Sequence, residues 1–353
     1  MYYPLETQVT PLTTVRRERL LPAPGDVLAG VSDRVDPTQV VARANLPGDF
    51  HILLVARLLD VPAPKIKRYL RVSLGDEVQR GQVIAKRGRL FAASVKSPID
   101  GVVTARGRGR VLIEAPPIPF EVRAYIHGTV SNVLHRHGVV IETTGAVVQG
   151  MWGAGGESWG VLKRRVRSAE EWLQAKAIDP SCHGTILVGG AGLSDDVLER
   201  AQELQVRGIV VGGLPPELVS RVRELSFPVI ATEGIGTVPM SAPAFHLLTT
   251  NDGREASISG RTQSRWGIVR PEVVIPLPAE VRPPARTEPG TPLEVGARVR
   301  LVRAPYVGAV GTVIALPARP RSIETGARVR GAEVDLGREA PVFVPLANVE
   351  VLR

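Results

Sequence analysis

The chain has 353 residues, of which 44% are hydrophobic and 22% charged, a balance typical of globular proteins long enough for two or three domains. Its single cysteine excludes an intrachain disulfide and a cysteine-based zinc site, and no window approaches the ~18 uninterrupted apolar residues of a membrane-spanning helix. The formal net charge of +9 comes mainly from arginines spread along the chain, so it permits contact with a polyanion without identifying one.

The remaining composition and the first residues bear on architecture and location. Aromatic residues make up only 4% of the chain, whereas glycine (36) and proline (30) are frequent, which favours many short strands joined by tight turns. The opening Met-Tyr-Tyr-Pro-Leu-Glu lacks a basic stretch followed by an apolar run. We therefore expect no signal peptide and a cytoplasmic location.

Two internal repeats organise the first half of the chain. Residues 27–44 align with residues 70–87, and in both an extended run reaches an acidic turn, a valine, a second turn and a strand with alternating Val/Ile positions. Residues 99–114 align with residues 126–142, and each is predicted to be a hairpin with an Ile-x-Gly entry and a return strand that ends in Glu. Between the copies, residues 49–59 have the spacing of an amphipathic helix.

The pattern G-D-E-V-x-x-G-Q-V-I-A followed by S-P-I-D-G-V-V resembles the barrel-sandwich hybrid of biotinyl and lipoyl carrier domains, over about residues 25–114. That fold also occurs without a prosthetic group in membrane-fusion adaptor proteins, RNA polymerase large subunits and Rnf-type electron-transport subunits. Carrier domains place the modified lysine at a hairpin tip, but the corresponding arm here, G-R-L-F-A-A-S-V, has none, and Lys86 and Lys96 lack the expected neighbours. We predict a domain that is not lipoylated and carries no cofactor.

Three histidines, His127, His135 and His137, flank the second hairpin. His-x-His on a strand places both imidazoles on one face, as metal sites do, and Glu142 is a candidate further ligand. The alternative is a polar hairpin tip with exposed histidines. We favour the hairpin tip and predict no metal.

The glycine-rich segment Gly-Met-Trp-Gly-Ala-Gly-Gly-Glu-Ser-Trp-Gly, residues 150–160, follows the second hairpin. Glycines allow positive φ and close backbone approach, so the segment suits either a nest of N–H groups for an anion or a tight joint between strands. Its spacing matches neither a dinucleotide-binding fingerprint nor a Walker loop. We favour the structural joint.

Continuous apolar strands then alternate with amphipathic helices, which predicts a small parallel, Rossmann-like α/β domain. The predicted elements are strands at 184–190, 207–213 and 227–233, helices starting at Ser194 and near Pro215, and further strands at Glu255–Ser259 and Glu272–Pro276. Ligands of such sheets bind at the carboxyl ends of the strands. The candidate ligand-binding residues there are Gly190, Gly192, Ser194, Thr232 and Glu233. A single carboxylate at these ends, without a second acid or base, predicts no catalytic residue.

The C-terminal region begins with a proline-rich linker at residues 277–292 and continues with five short alternating strands. Gly296-x-Arg-Val-Arg-Leu-Val, followed by Tyr306-Val-Gly308-x-x-Gly311-Thr-Val, resembles a KOW motif, as in NusG-type elongation factors and several ribosomal proteins. The resemblance implies an SH3-like barrel that contacts RNA or protein. The candidate nucleic-acid-binding residues are Arg298, Arg300, Arg303, Tyr306, Arg319, Arg321, Arg328 and Arg330.

The sequence therefore predicts a multidomain α+β protein. Its expected parts are a β-rich, duplicated barrel-sandwich-like region (1–167), a small α/β domain (168–276), the linker (277–292) and a KOW/SH3-like barrel (293–353). We expect a non-enzymatic interaction or scaffold protein with protein partners, without membrane insertion, that contacts RNA through the barrel. The alternatives are a structural subunit of a homomeric or heteromeric assembly without nucleic acid, and a protein that binds a small anion or nucleotide at the α/β strand ends.

Overall fold

The computed structural model describes residues 5–7, 9–88, 93–263, 269–278, 293–302, 305–306, 309–324, 326–337 and 340–352. The described chain is β-rich, with short helices, and its strands are divided among several sheets. None of the described helices has the length and apolar character needed to cross a membrane. Most of the predicted proline-rich linker lies outside these residues.

The first part of the chain, up to residue 149, consists almost entirely of strands. In chain order they are β1 (Leu5–Thr7), β2 (Val9–Leu20), β3 (Asp26–Val27), β4 (Arg34–Val35), β5 (Val40–Leu46), β6 (Phe50–Leu53), the helical turn α1 (Val55–Leu58), a 3₁₀ segment (Ala63–Arg68), β7 (Glu77–Val78), β8 (Val83–Arg87), β9 (Ala93–Lys96), β10 (Gly101–Gly107), β11 (Arg110–Glu114), β12 (Ile118–Arg123), β13 (Gly128–Leu134) and β14 (Gly138–Gln149).

Both predicted repeats correspond to repeated structure. The first copy consists of residues 27–44 and 126–142, and the second copy, residues 70–87 and 99–114, is inserted between its two parts. β4 pairs with β13 so that Gly128 lies opposite Val35, and β7 pairs with β10 so that Gly101 lies opposite Val78. The hairpins β10–β11 and β13–β14 each contain a register shift at the corresponding position. Because β5 pairs with β12, everything from β6 to β11 lies between two paired strands of the first copy. The second copy is therefore an insertion within the first.

The helix predicted over residues 49–59 is divided into a four-residue strand and a four-residue helical turn. β6 pairs antiparallel with β11, with Phe50 opposite Glu114 and Leu53 opposite Val111, and only Val55–Leu58 is helical. The apolar spacing of this segment is compatible with either element. Pairing with the return strand of the hairpin satisfies its backbone N–H and C=O groups, so tertiary contacts override the local pattern.

The middle of the chain alternates strands with helices. In chain order its elements are β15 (Trp152–Ala154), β16 (Glu157–Arg164), β17 (Trp172–Leu173), 3₁₀ segments (Ala175–Ala177 and Pro180–Cys182), β18 (Thr185–Val188), β19 (Gly192–Leu193), α2 (Asp195–Glu203), β20 (Gly208–Leu214), a 3₁₀ segment (Pro216–Leu218), α3 (Val219–Arg223), β21 (Val229–Ile235), α4 (Ala242–Thr250), β22 (Glu255–Ser259) and β23 (Glu272–Pro276).

One large sheet runs through both the first and the middle parts of the chain. Its order is β15-β21-β20-β18-β16-β22-β23-β14-β13-β4, with β2 also paired to β14. The pairs β16–β18, β18–β20 and β20–β21 are parallel, as predicted for an α/β unit, and β22 and β23 occupy the predicted residues. Because β23 pairs with both β22 and β14, the ladder of backbone hydrogen bonds continues across the boundary predicted at residue 168.

The glycine-rich segment forms part of this sheet. β15 pairs antiparallel with β21, and a Cβ atom at Gly153 would lie 2.7 Å from Cβ of Pro271. Gly155 has φ of +89°, a backbone conformation that glycine adopts without a steric penalty. These contacts agree with the structural joint favoured from the sequence.

The C-terminal part of the chain forms a separate sheet that includes the first strand of the protein. Its elements are β24 (Arg298–Leu301), β25 (Val310–Ala315), β26 (Arg321–Ser322), β27 (Arg328–Val329), β28 (Gly331–Asp335), β29 (Val342–Pro345), a 3₁₀ segment (Leu346–Asn348) and β30 (Val349–Leu352). The sheet order is β1-β30-β24-β25-β28-β29, with β1 parallel to β30, and β26 and β27 form their own ribbon. Since β1 and β29 lie at opposite ends of this order and do not pair with each other, the described strands form an open sheet, and the predicted closed barrel is not found among them.

Separate apolar cores fill these parts. One core lies within the inserted copy, around Ile84 and Ile113, and another within the first copy, around Val41 and Ile141. The large sheet is covered on both faces around β18 and β20, because neighbouring residues of these strands belong to different cores. The helix α4, which the sequence pattern did not predict, packs on one of these faces.

Candidate functional site

The exposed arginines of the C-terminal sheet collect around one short ribbon. β26 pairs with β27, and Arg321 lies on the first strand and Arg328 on the second. Arg319 precedes the ribbon and Arg330 follows it, and all four side chains are exposed. Arg298, at the start of β24, is exposed as well. A group of guanidinium groups of this kind matches what binding to a phosphate backbone requires.

Acidic neighbours neutralise only part of this charge. The guanidinium of Arg321 lies 2.7 Å from the carboxylate of Glu333, and its central carbon lies 5.2 Å from the centre of the Phe343 ring. Arg319 and Arg330 form no ion pair with any described residue. Their charges are therefore available to a ligand in solution.

Of the other residues predicted for this interface, Tyr306 is only partly exposed and Arg303 lies outside the described residues. Tyr306 is half-buried and packs against the apolar core of the C-terminal sheet, so its ring is only partly exposed for stacking. Arg303 and Gly308 lie outside the described residues. At Gly311 a Cβ atom would lie 2.4 Å from the carbonyl oxygen of Asp335, which explains the need for glycine where β25 pairs with β28.

Arg300 is placed inside the protein, with 1% of its surface exposed. Its Nε and Nη2 atoms donate to Oε2 of Glu350 at 2.9 and 2.6 Å, and its Nη1 atom donates to Oε2 of Glu233 at 2.9 Å and to the carbonyl oxygen of Thr232 at 2.8 Å. Burial alone would lower the pKa of Arg300, but the carboxylates of Glu233 and Glu350 raise it above its ordinary value. The predicted surface contact with a phosphate does not fit this position, because the guanidinium binds carboxylates of its own chain.

A second arginine completes the buried cluster. Nη2 of Arg270 lies 2.6 Å from Oε1 of Glu350. Burial lowers the pKa of Arg270, Glu350 opposes this change, and Arg300 adds to it. Two guanidinium groups and two carboxylates therefore neutralise one another. Arg270 and Glu350 were not among the predicted site residues, and the signal available in the sequence was a lone acid in the otherwise apolar run V-E-V-L.

This cluster joins the C-terminal sheet to the large sheet. Arg300 and Glu350 come from β24 and β30, Glu233 lies near the end of β21, and Arg270 precedes β23. A buried charge is costly to leave unpaired, so the four groups favour one relative placement of the two sheets. The exposed arginine ribbon is thereby attached to a fixed support.

The glycines predicted to bind a ligand lie close to neighbouring backbone. A Cβ atom at Gly190 would lie 2.3 Å from the carbonyl oxygen of Glu171 and 2.7 Å from that of Ser168. Gly192 belongs to β19, which pairs with β17. Ser194 is exposed, and its hydroxyl donates to the carboxylate of Asp196. Gly190 therefore has a steric role that requires no ligand, whereas a Cβ atom at Gly192 would make only an ordinary contact, 3.5 Å from the Trp172 ring.

The polar groups at the end of β21 are also engaged within the protein. Thr232 and Glu233 are 0% and 5% exposed. The hydroxyl of Thr232 lies 3.3 Å from the carbonyl oxygen of Val211, and the second carboxylate oxygen of Glu233 accepts from the backbone N–H of Ser241 at 3.0 Å. Arg300 thus occupies the strand end at which the sequence analysis placed a ligand.

The histidines do not come together. Nδ1 of His127 lies 3.1 Å from Asp36 and its Nε2 lies 3.3 Å from Glu255, whereas His135 and His137 are exposed near the β13–β14 turn. Among the described residues, no group of three or more His, Cys, Asp and Glu side chains has a geometry suited to a metal ion.

Comparison of the sequence with protein-family models and with curated proteins finds no match in either set. The chemistry open to the site follows from its geometry. Exposed guanidinium groups form charge-assisted hydrogen bonds with phosphate or carboxylate oxygens, and a neutral buried cluster holds their support in place.

Proposed function

We propose that the protein is a non-enzymatic scaffold that contacts RNA through the exposed arginines of its C-terminal sheet. The observation that carries this proposal is the concentration of exposed guanidinium groups around β26 and β27, of which Arg319 and Arg330 have no acidic partner among the described residues. Phosphate groups spaced along a backbone complement such a surface, and the contacts need no particular base sequence.

The attachment of this sheet to the rest of the protein supports a scaffold role. The Arg300 cluster and the pairing of β1 with β30 connect it to the large sheet and to the N-terminal strand. A partner bound by the large sheet would therefore be held at a defined position relative to RNA. The KOW resemblance of this region is a hypothesis about its partner, since the described strands form an open sheet and not a closed barrel.

The test is the salt dependence of binding to single-stranded RNA. The full chain is expected to bind at low salt, and the logarithm of the binding constant should fall linearly with the logarithm of the salt concentration, by about 0.7 per neutralised phosphate. Replacing Arg319, Arg328 and Arg330 with methionine should weaken binding and reduce this slope by about 2.

The matched control replaces three exposed arginines elsewhere, Arg57, Arg110 and Arg223, with methionine. This control variant changes the net charge by the same amount. It should leave the dependence of the logarithm of the binding constant on the logarithm of the salt concentration nearly unchanged. The absence of binding at low salt, or an equal loss of binding in both triple variants, would overturn the proposal.

A second function, that of a structural subunit in an assembly without nucleic acid, is favoured by a different observation. β6 ends the order of its four-stranded sheet, and its Phe50 and Ile52 side chains are 64% and 53% exposed. An unpaired apolar edge is a surface to which another strand can add. Light scattering of the full chain should then show a defined oligomer that Ile52→Lys converts to the monomer, and a monomeric wild-type protein would count against self-assembly.

A further inference from the structure

A large cleft lies where the first copy of the repeat meets the large sheet, away from the C-terminal arginines. Its volume is about 1000 Å³, at the upper end of the roughly 300–1,000 Å³ typical of small-molecule sites. The end of β2, β12 and the residues that follow it, and the start of β16 form its walls, and Arg207 and Arg261 complete them. The start of β16 belongs to the glycine-rich residues 150–160, for which a structural joint was favoured over an anion site, and no ligand was predicted for the other walls.

Two residues that line the cleft each have a buried hydrogen-bond donor for which the described part of the chain supplies no acceptor. Tyr125 is 4% exposed, and neither its hydroxyl nor Nε1 of Trp159 makes a hydrogen bond with any described residue. The indole N–H can only donate. Burial, and after it the charge of Glu272, raises the pKa of Tyr125 well above its ordinary value, so its hydroxyl keeps its proton and is also a donor. Leaving a buried donor unsatisfied is costly, which points to an acceptor in the cleft.

The backbone conformation of Tyr125 is a second observation, independent of its hydroxyl, that marks this residue as part of a binding site. Its φ is +72°, a conformation that is uncommon for bulky residues. In the alignment of the two hairpins, the position of Tyr125 in the first copy corresponds to Pro98 in the inserted copy. Proline cannot adopt positive φ, so the repeated fold itself does not require this conformation. Strain that the fold does not require is characteristic of binding sites.

The charges around the donors define what they would bind. The guanidinium of Arg19 is held by Glu157 at 2.9 and 2.6 Å and lies 5.4 Å from the centre of the Tyr125 ring. Arg123 and Arg207 also line the cleft, are exposed, and form no ion pair with any described residue. A ligand in the cleft is therefore met by the unpaired positive charges of Arg123 and Arg207, beside two lining residues whose donors are unsatisfied among the described residues.

The remaining walls of the cleft are partly apolar and partly acidic. Phe120 and Leu20, which are 39% and 45% exposed, add apolar surface to the lining that also contains Trp159. Glu18 and Glu121 are exposed at the same cleft, so a ligand that also has hydroxyl or amino groups can donate to them. These features favour a molecule with one planar, one anionic and one hydrogen-bond-donating part.

We propose that this cleft binds a small anion that carries a planar ring, of the size and chemistry of a nucleoside monophosphate. The ring packs against Trp159 and Phe120, the anionic group binds Arg123 and Arg207, and acceptor atoms of the ligand accept hydrogen bonds from the hydroxyl of Tyr125 and the indole N–H of Trp159. The site is distinct from the arginine ribbon, so a failure to bind RNA would not contradict binding of the small anion here.

The experiment is titration of the full chain by calorimetry and tryptophan fluorescence with nucleoside monophosphates, an aromatic carboxylate (benzoate) and inorganic phosphate. Nucleoside monophosphates should bind and change the fluorescence, and the change should be smaller in Trp159→Phe. Inorganic phosphate, which has no ring, should bind at least about tenfold more weakly. Benzoate distinguishes a general aromatic-anion site from one that needs the phosphate and ribose.

Variants connect the binding to the cleft. The pair Arg123→Met and Arg207→Met should weaken binding of the nucleotide by about tenfold or more, whereas Arg223→Met, an exposed arginine outside the cleft, should not change it. Tyr125→Phe should also weaken it while the variant still unfolds cooperatively. If no ring-bearing anion binds, or if Arg223→Met and the double variant weaken binding equally, the proposal is wrong and the two donors are satisfied by water.

Discussion

The guanidinium of Arg300, on the first strand of the C-terminal sheet that follows the linker, lies 2.9 Å from the carboxylate of Glu233 near the end of β21. The two residues are 67 positions apart and both are nearly inaccessible to solvent. One contact thus links a residue predicted to bind nucleic acid with a residue predicted to bind a small ligand, and it engages both within the protein.

Replacement of Arg300 with methionine should strongly destabilise the fold. It leaves the carboxylates of Glu233 and Glu350 without a main partner, and removing one member of a buried ion pair costs about 3–5 kcal/mol of unfolding free energy. Arg300→Lys should recover little of the lost unfolding free energy, because one ammonium group cannot reproduce the contacts that the guanidinium makes to both acids. Urea unfolding measures both effects. A loss below about 1 kcal/mol, the value of an exposed pair, would show that the cluster does not hold the sheets together.

Corresponding glycines in the two copies of the repeat should be equally intolerant of a side chain. A Cβ atom at Gly101 would lie 2.2 Å from the carbonyl oxygen of Glu114, and one at Gly128 would lie 2.5 Å from that of Glu142. Each glycine-to-alanine change should therefore lower the unfolding free energy by at least the ~1–3 kcal/mol of an overpacked core. Gly107→Ala in the same hairpin, where no atom lies within 4 Å, is the control and should have little effect. Equal stability of all three variants in urea would contradict the duplicated pairing.

The stability of the protein should fall with rising pH above the ordinary pKa of tyrosine, 10.0, in a way that depends on Tyr125. Burial first, and then the charge of Glu272, raises the pKa of Tyr125, so above that pH the unfolded chain loses the proton while the folded protein retains it. The unfolding free energy then decreases by up to about 1.4 kcal/mol per pH unit for this group.

The measurement is urea unfolding across this pH range for the wild type and for Tyr125→Phe. The difference in slope between the two proteins isolates Tyr125 from the other tyrosines, and tyrosinate absorbance gives a second readout. Identical slopes would show that the hydroxyl ionises in the folded state as readily as in the unfolded chain.

Coexpression with lipoate or biotin ligases should leave the mass of the protein unchanged. Lys96 lies within β9, opposite Val83, and Lys86 lies within β8, opposite Ser94. Both lysines are exposed, but their backbones are held in a ladder, whereas the carrier domains that this region resembles present the modified lysine at a hairpin tip. Intact-mass spectrometry is the test, with a true carrier domain coexpressed as the positive control. A stoichiometric lipoyl or biotinyl adduct would refute this expectation.

Local patterns alone predicted a substantial part of the fold. The strands at Glu255–Ser259 and Glu272–Pro276 and the parallel pairing around β18 and β20 follow from short apolar runs bounded by turns and helices. Both internal repeats were visible because turns and Val/Ile positions recur at corresponding places in the two copies. In each case the information lies within a few consecutive residues.

Sequence patterns misplaced the features that depend on distant residues. The segment 49–59 was predicted to be helical, but β11, about 60 residues later, pairs with its first half. Arg300 was grouped with the surface arginines, since nothing near it in sequence reveals Glu233 or Arg270. The cleft was missed for the same reason, because Arg19, Tyr125, Trp159 and Arg207 meet only in the folded chain.

The sequence by itself therefore determined several elements, among them the strands Glu255–Ser259 and Glu272–Pro276, and it determined that the first half is duplicated and that the chain is rich in arginine. The tertiary structure alone decided that one copy is inserted into the other and that a single sheet crosses the predicted domain boundary. It also decided which arginines stay exposed and which bind carboxylates inside the protein. The physical reason is that local geometry follows from neighbouring residues, whereas burial, charge pairing and cavities depend on residues that folding brings together from far apart in the chain.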